Sequence, residues 1–139
     1  LAGKGTYCLV FKIDDLRFKV RSSREFSLKS GYYIYVGSAF GSGGIEKRVE
    51  RHLKREKKKH WHIDHITSSE SFKPVKVLKF EGLKIECQIA SFLQERGKPI
   101  LGFGSSDCKC LSHLFRVKSP EILIREIEEF VDGVQKRSE

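Results

Sequence analysis

Residues 6–13, Thr-Tyr-Cys-Leu-Val-Phe-Lys-Ile, decide the fold class. The run is rich in β-branched and aromatic side chains and is apolar at odd and even positions alike. A strand reads that way when both faces of its sheet are covered, so a central strand opens the chain. Asp14-Asp15 supplies a turn, and Leu16, Phe18 and Val20 then alternate with Arg17, Lys19 and Arg21, the period of a half-exposed strand. The start of the chain thus reads as a hairpin. After a polar stretch, Gly31 precedes Tyr32-Tyr33-Ile34-Tyr35-Val36, a third strand dense in residues that favour sheet.

Working outward, Gly41-Ser42-Gly43-Gly44 is a flexible loop, and a helix is expected from Ile45 to Lys58, with Ile45, Val49 and Leu53 on one face. Pro74 opens a strand over Val75 to Glu81. Ile85, Ile89, Phe92 and Leu93 mark a second helix, ended by Gly97 and Pro99. Leu114 to Val117 is a short strand. Ser119-Pro120 gives an N-cap and a first-turn proline to a last helix carrying Ile124, Ile127, Val131 and Val134. This order predicts one α+β domain over 1–139, a small, largely antiparallel sheet flanked by helices, with no internal repeat and no linker.

The chain has 139 residues, 39% hydrophobic and 32% charged, which suits a core of moderate size and is too apolar for a disordered chain. No apolar run approaches the roughly 18 residues of a membrane span, and LAGKGTYCLV lacks the layout of a signal peptide. Neither secretion nor membrane insertion is therefore expected, and a cytoplasmic location is. There is no Asn and no Met, and Gln occurs only at 88, 94 and 135, a depletion of thermolabile residues that points to a thermophilic source. The missing Met is read as a start that was trimmed or not read as Met, so Leu1 need not be the biological terminus. Four cysteines (8, 87, 108, 110) are too few for a disulfide scaffold, and reduced thiols are the default.

Lys and Arg number 27 against 18 Asp and Glu, a net charge of +9. Lys47, Arg48, Arg51, Lys54, Arg55, Lys57, Lys58 and Lys59 are offset only by Glu50 and Glu56, so this one segment carries a local charge of +6. The bland reading is a solvated helix face with i,i+4 pairs such as Glu50 with Lys54. Against it, the run is barely compensated, follows a glycine loop where helix N–H groups can hold phosphate, and contrasts with an acidic last helix (Glu121, Glu126, Glu128, Glu129, Asp132). That segregation favours a nucleic-acid footprint, with Arg51, Lys54, Arg55, Lys57, Lys58 and Lys59 as phosphate contacts. Arg48 and His52, four apart at the margin of the apolar stripe, read as aimed at a ligand. The alternative is an Arg stem lying on apolar surface and a buried His with a partner.

Gly5-Thr6-Tyr7, Tyr35-Val36-Gly37 and the following Arg48 and His52 resemble, in that order, the motifs of the GIY-YIG nucleases. HWHIDHI (60–66) and GFGSSDCKCLSHLF (102–115) resemble more closely a small-domain branch of that superfamily, long catalogued as a domain of unknown function and found alone or fused to DNA-repair proteins. The resemblance implies a GIY-YIG-like fold and a metal-dependent endonuclease that hydrolyses phosphodiester bonds, with DNA as partner and a DNA-repair protein as a further one. It places Tyr7, Tyr35, Arg48, His52 and Glu86 in the catalytic site, with Glu86 holding Mg²⁺ or Mn²⁺. Such chemistry needs a deprotonated water, cations on the phosphoryl oxygens and a divalent ion. A tyrosine serves as base only where neighbouring cations lower its pKa from about 10. Thr6 stands where the family usually has Ile, and the gap between Tyr7 and Tyr35 is longer than usual. The family's late Asn is absent, with Ser105, Ser106 or Asp107 as substitutes. A non-catalytic nucleic-acid-binding module is the alternative, and a domain that docks on a repair enzyme through the acidic last helix is a third.

Two clusters compete for attention. His60-Trp61-His62-Ile63-Asp64-His65 spells HxHxDH, the metal motif of metallo-β-lactamase-fold hydrolases, but only His113 follows as a further histidine ligand. The preferred reading packs Trp61 and Ile63 inward and turns His60 and His62 toward the phosphate cleft, where one assists acid–base chemistry. Cys108-Lys109-Cys110 with His113 offers three metal ligands, and a fourth comes from Cys8 or Cys87. Reduced structural thiols are preferred there over zinc.

Overall fold

A computed structural model describes residues 3–105 and 108–138. Its elements follow in the order β1 (Gly5–Ile13), β2 (Leu16–Lys19), β3 (Glu25–Leu28), β4 (Gly31–Ala39), α1 (Gly44–Leu53), α2 (His62–Thr67), β5 (Lys73–Glu81), α3 (Glu86–Gln94), β6 (Lys98–Pro99), β7 (Leu114–Val117) and α4 (Pro120–Ser138). The architecture is α+β. A five-stranded antiparallel sheet runs β5-β1-β4-β7-β6, and β2 and β3 form a separate two-stranded sheet.

β1 sits inside the larger sheet, and every residue of it except Lys12 is buried, as its unbroken apolar run demands. Its even positions, Cys8 and Val10, join Ile34, Val36 and Leu78 under α3 and α4. Its odd positions, Leu9, Phe11 and Ile13, pack with Tyr33, Phe72 and Phe103 under α2 and the small sheet. Toward the start of β1 this second face is covered by α1, where Tyr7 and Ala39 meet Ile45 and Val49. The sheet is thus the middle of three layers.

The expected hairpin of residues 7–13 with 16–21 is not formed. β4 and β5 occupy both edges of β1 along nearly its whole length, so no backbone donors remain there for β2. β2 instead pairs with β3, Leu16 opposite Leu28 and Phe18 opposite Phe26, across a turn in which Ser23 adopts φ 67°. The basic helix also ends earlier than its charge pattern suggests, at Leu53 rather than Lys58. Extending it would stack Lys54 and Arg55 against Lys58 and Lys59 at i,i+4, where like charges repel. Instead Lys57 folds back and its Nζ donates to the carbonyls of Arg51 (3.0 Å) and His52 (2.8 Å). Leu53 is 47% exposed, and His52 takes its place on the buried face beside Ile45 and Val49.

No helix among the described residues is long and apolar enough to cross a membrane.

Candidate functional site

Tyr7 and Tyr35 lie on adjacent strands with side chains on the same face, because Tyr7 pairs with Gly37 and Leu9 with Tyr35. Gly37 is required there: a Cβ on it would run into the Tyr7 ring and hydroxyl. α1 then crosses this corner. It starts at Gly44, whose φ of 64° and close approach to the Gly3 carbonyl leave no room for a side chain, and it is tied down where Ile45 N donates to Gly3 O at 2.7 Å.

Tyr35, Ser38, Arg48 and Glu86 line one cleft of about 340 Å³ together with His60, Trp61, His62 and Gly104. Arg48 is held in place: its Nη1 donates to Ser38 O at 2.9 Å, and its guanidinium lies 4.4 Å from the Trp61 ring centroid. Glu86, in the first turn of α3, has its carboxylate 3.5 Å from His113 Nδ1.

Tyr7 is fully buried and does not line the cleft; it stands behind, with its hydroxyl 2.6 Å from His52 Nε2 and its ring beside Tyr35. Burial raises the pKa of the Tyr7 phenol well above its usual value, and the Tyr35 charge adds to this, more than the nearby Arg48 guanidinium offsets. Burial likewise raises Tyr35, helped by Glu86 and opposed by Arg48. His52 is 1% exposed, and burial, then the Lys57 charge, lowers its pKa to about 4. At neutral pH the pair is therefore a neutral imidazole against a neutral phenol. Its other nitrogen, Nδ1, is buried without a hydrogen-bond partner among the described residues. The expectation that cations would lower a motif tyrosine toward neutrality thus meets a protein interior that raises both.

The basic segment divides in two. Arg51 grips Asp64 with both nitrogens (2.7 and 2.9 Å), Arg55 donates to Ser69 O and Phe72 O, and Lys57 adds Thr67 Oγ1 (2.6 Å) to its two helix carbonyls. These three spend their donors inside the fold. Lys54, Lys58 and Lys59 are exposed, and no hydrogen bond or ion pair among the described residues holds their ammonium groups. Two further depressions adjoin the cleft. One, about 260 Å³, shares Arg48 and is lined by Lys47 and Lys54; the other, about 500 Å³, shares His60 to His62 and is lined by Arg21, Arg24 and Lys59. Arg21, expected on the exposed face of a strand, and Arg24 both lie in the β2–β3 turn, outside the basic segment that marked the other cations.

The HxHxDH letters do not gather as metal ligands. Asp64 is fully buried and accepts from the backbone N–H of His60 (2.8 Å) and Trp61 (2.9 Å) as well as from Arg51, closing the N-terminus of α2. Burial opposes its ionisation, but these donors prevail and bring its pKa down to about 2. His62 Nδ1 accepts from Gly104 N at 3.3 Å, and His65 stacks on Phe18. His60 is exposed at the cleft wall. Ile63 packs inward as expected, but Trp61 is 41% exposed, held between the Arg48 and Arg51 guanidinia.

Of the substitutes for the missing Asn, Ser105 lines the larger depression rather than the cleft, and Ser106 and Asp107 lie outside the described residues. Next to Glu86, the ligand atoms of Cys87, Cys108, Cys110 and His113 lie within 4.8 Å of one another, a set that could hold a metal such as zinc. Cys8 is excluded from it, buried in the core beneath α3 and α4.

The family model described as Domain of unknown function DUF123 matches residues 6–136. No curated protein and no solved structure matches the chain.

Proposed function

The chain belongs to the DUF123 family, and from that premise we propose that it is a metal-dependent endonuclease of the GIY-YIG type that cleaves phosphodiester bonds in DNA. The observation that carries this reading is the single cleft in which Tyr35, Arg48 and Glu86 meet, with Tyr7 and His52 directly behind. In it, Arg48 holds the scissile phosphate through the donors that Ser38 and Trp61 leave unused. Glu86 is the one carboxylate lining the cleft among the described residues and is partly exposed, which suits a cation that keeps most of its waters and takes its other oxygens from substrate. When bound there, Mg²⁺ or Mn²⁺ supplies charge neutralisation on the phosphoryl oxygens and a more acidic water.

The tyrosines need help to act as bases, because burial keeps both protonated. The Tyr7 hydroxyl shares a hydrogen bond with neutral His52 at 2.6 Å, and Tyr35 lines the cleft. The help both need is positive charge of the kind Arg48 supplies, which already opposes the rise of both pKa values. His60 and His62 also line this cleft, and in this reading one of them assists the acid–base chemistry. Lys54, Lys58 and Lys59 track the DNA backbone beyond the cleft. A setting in DNA repair belongs to this proposal on resemblance alone.

The same raised phenols favour a second reading, a nucleic-acid-binding module without chemistry. Nicking of supercoiled plasmid and of branched oligonucleotides with Mg²⁺ or Mn²⁺, at elevated temperature, decides between them. The wild-type protein is expected to cut. Glu86→Gln is expected to abolish cleavage while DNA affinity stays within a few-fold, since the exposed lysines are untouched. Arg48→Ala is expected to lose about 10²-fold or more in rate, the scale of one transition-state charge contact. A wild-type protein that binds these substrates and cuts none of them moves the assignment to the binding module.

A further inference from the structure

Between β6 and β7 no strand or helix is formed among the described residues, yet this connection brings three metal-ligating side chains to the start of α3. Cys108, Cys110 and His113 come from this loop, and Cys87 meets them from the first turn of α3. We propose that Cys87, Cys108, Cys110 and His113 Nε2 bind one zinc ion, and that Glu86 holds His113 in place from outside the site.

The geometry fits a closed tetrahedral centre. With Zn–S near 2.3 Å and Zn–N near 2.0–2.1 Å, tetrahedral neighbours stand roughly 3.5–3.8 Å apart. Cys108 Sγ and His113 Nε2 are already 3.4 Å apart, and the whole set lies within 4.8 Å, so shifts of under about 1 Å complete it. Three thiolates and one imidazole are the donor set of structural zinc, softer than Mg²⁺ or Ca²⁺ accepts. A disulfide would use two of the three thiols and leave the third, and the imidazole, without a role. Binding is not redox chemistry: the metal displaces the three thiol protons to solvent, and the imidazole binds neutral through Nε2.

The second half of the proposal follows from the two faces of His113. Nε2 turns to the sulfurs, and Nδ1 lies 3.5 Å from Glu86 Oε2, the carboxylate–histidine–metal arrangement that sets tautomer and ring orientation. Glu86 thereby belongs to two sites at once, one oxygen toward His113 and the side chain at the edge of the cleft. The metal would pin the loop that carries Gly104 and would fix the carboxylate's direction. The zinc site stands whether or not the cleft cuts DNA, and its test uses no nucleic acid.

The protein is purified under reducing conditions without chelator and its metal measured by mass spectrometry. About one zinc per chain is expected for the wild type, and a clear loss for Cys108→Ser and Cys110→Ser. Because those variants can fail to fold, wild-type protein stripped of metal is also titrated with Co²⁺. Intense thiolate-to-cobalt and tetrahedral d–d absorption is expected, and a weakened thiolate band in Cys87→Ser. Cys8→Ala is expected to leave the spectrum unchanged. Reduced wild-type protein that carries no zinc and takes up no cobalt overturns the site, as does an iron–sulfur chromophore. A cobalt spectrum identical in Cys87→Ser overturns this ligand set. Glu86→Gln is expected to keep the stoichiometry and weaken zinc affinity about 10–100-fold; unchanged affinity removes Glu86 from the site.

Discussion

His52 carries one titration that reads out its environment. Its ring is 1% exposed, it faces the Tyr7 hydroxyl at 2.6 Å, and the Lys57 charge adds to burial in holding its pKa at about 4. The unfolded chain takes up this proton near pH 6.5, whereas the folded chain resists until about pH 4. Between those values the unfolded state binds more protons, so acid favours it. The contribution is fully present above pH 6.5 and lost as the pH falls through this window. From pH 7 to pH 5 the folded state should lose about 2 kcal/mol through this residue. Urea unfolding at the two pH values measures it, and His52→Gln, which cannot titrate, should show a smaller drop. Equal drops in both proteins place the acid sensitivity elsewhere. Asp64 adds a separate loss in stronger acid, because its carboxyl, lowered to about 2, must be protonated there.

Among the elements, the end of α1 depends on one side chain from outside it. Lys57 Nζ donates to two carbonyls of the last turn and to Thr67 Oγ1 of α2, so it joins the two helices that wall the cleft. Lys57→Ala removes all three donations and should cost about 1–3 kcal/mol in thermal or urea unfolding. Lys58→Ala, on an exposed neighbour, should stay within about 0.5 kcal/mol. This partition could not be read from the sequence, where Lys57, Lys58 and Lys59 are three identical letters. Local pattern did place β1, β4, β7 and the three longer helices, the strands through runs of β-branched, aromatic and other apolar residues and the helices through their apolar spacing. The pairing of β2 was not local: it depends on both edges of β1 being taken by β4 and by β5, which lies more than fifty residues further on. The site divides in the same way. Tyr35, Arg48 and Glu86 come from three elements, and their common cleft was suggested only by resemblance. The choice between Cys8 and Cys87 as fourth ligand stayed open until strand register buried Cys8 beneath α3.

Over the whole molecule, a charge of +9 is spread unevenly, and two of the exposed lysines of the basic segment, Lys54 and Lys59, line the depressions that adjoin the cleft. Lys47 and Lys54 mark the depression on one side of Arg48, and Lys59 with Arg21 marks the depression beyond His60. A polyanion laid across these surfaces would pass the cleft on its way, its phosphates neutralised by side chains that the fold does not otherwise use. Each such contact releases counterions from DNA and steepens the fall of affinity with salt by about 0.9 in a log–log plot. Replacing Lys54, Lys58 and Lys59 together by Gln should therefore flatten that slope by about 2–3. If these lysines meet phosphate and not bases, the loss should be the same for DNA of any sequence. The unfolding midpoint should barely move, in contrast to Lys57→Ala. Affinity for duplex and branched DNA, measured over a series of salt concentrations, separates the possibilities. A slope that does not change in the triple variant removes these lysines from the DNA path, and points instead to a domain that docks on a protein partner through the acidic face of α4.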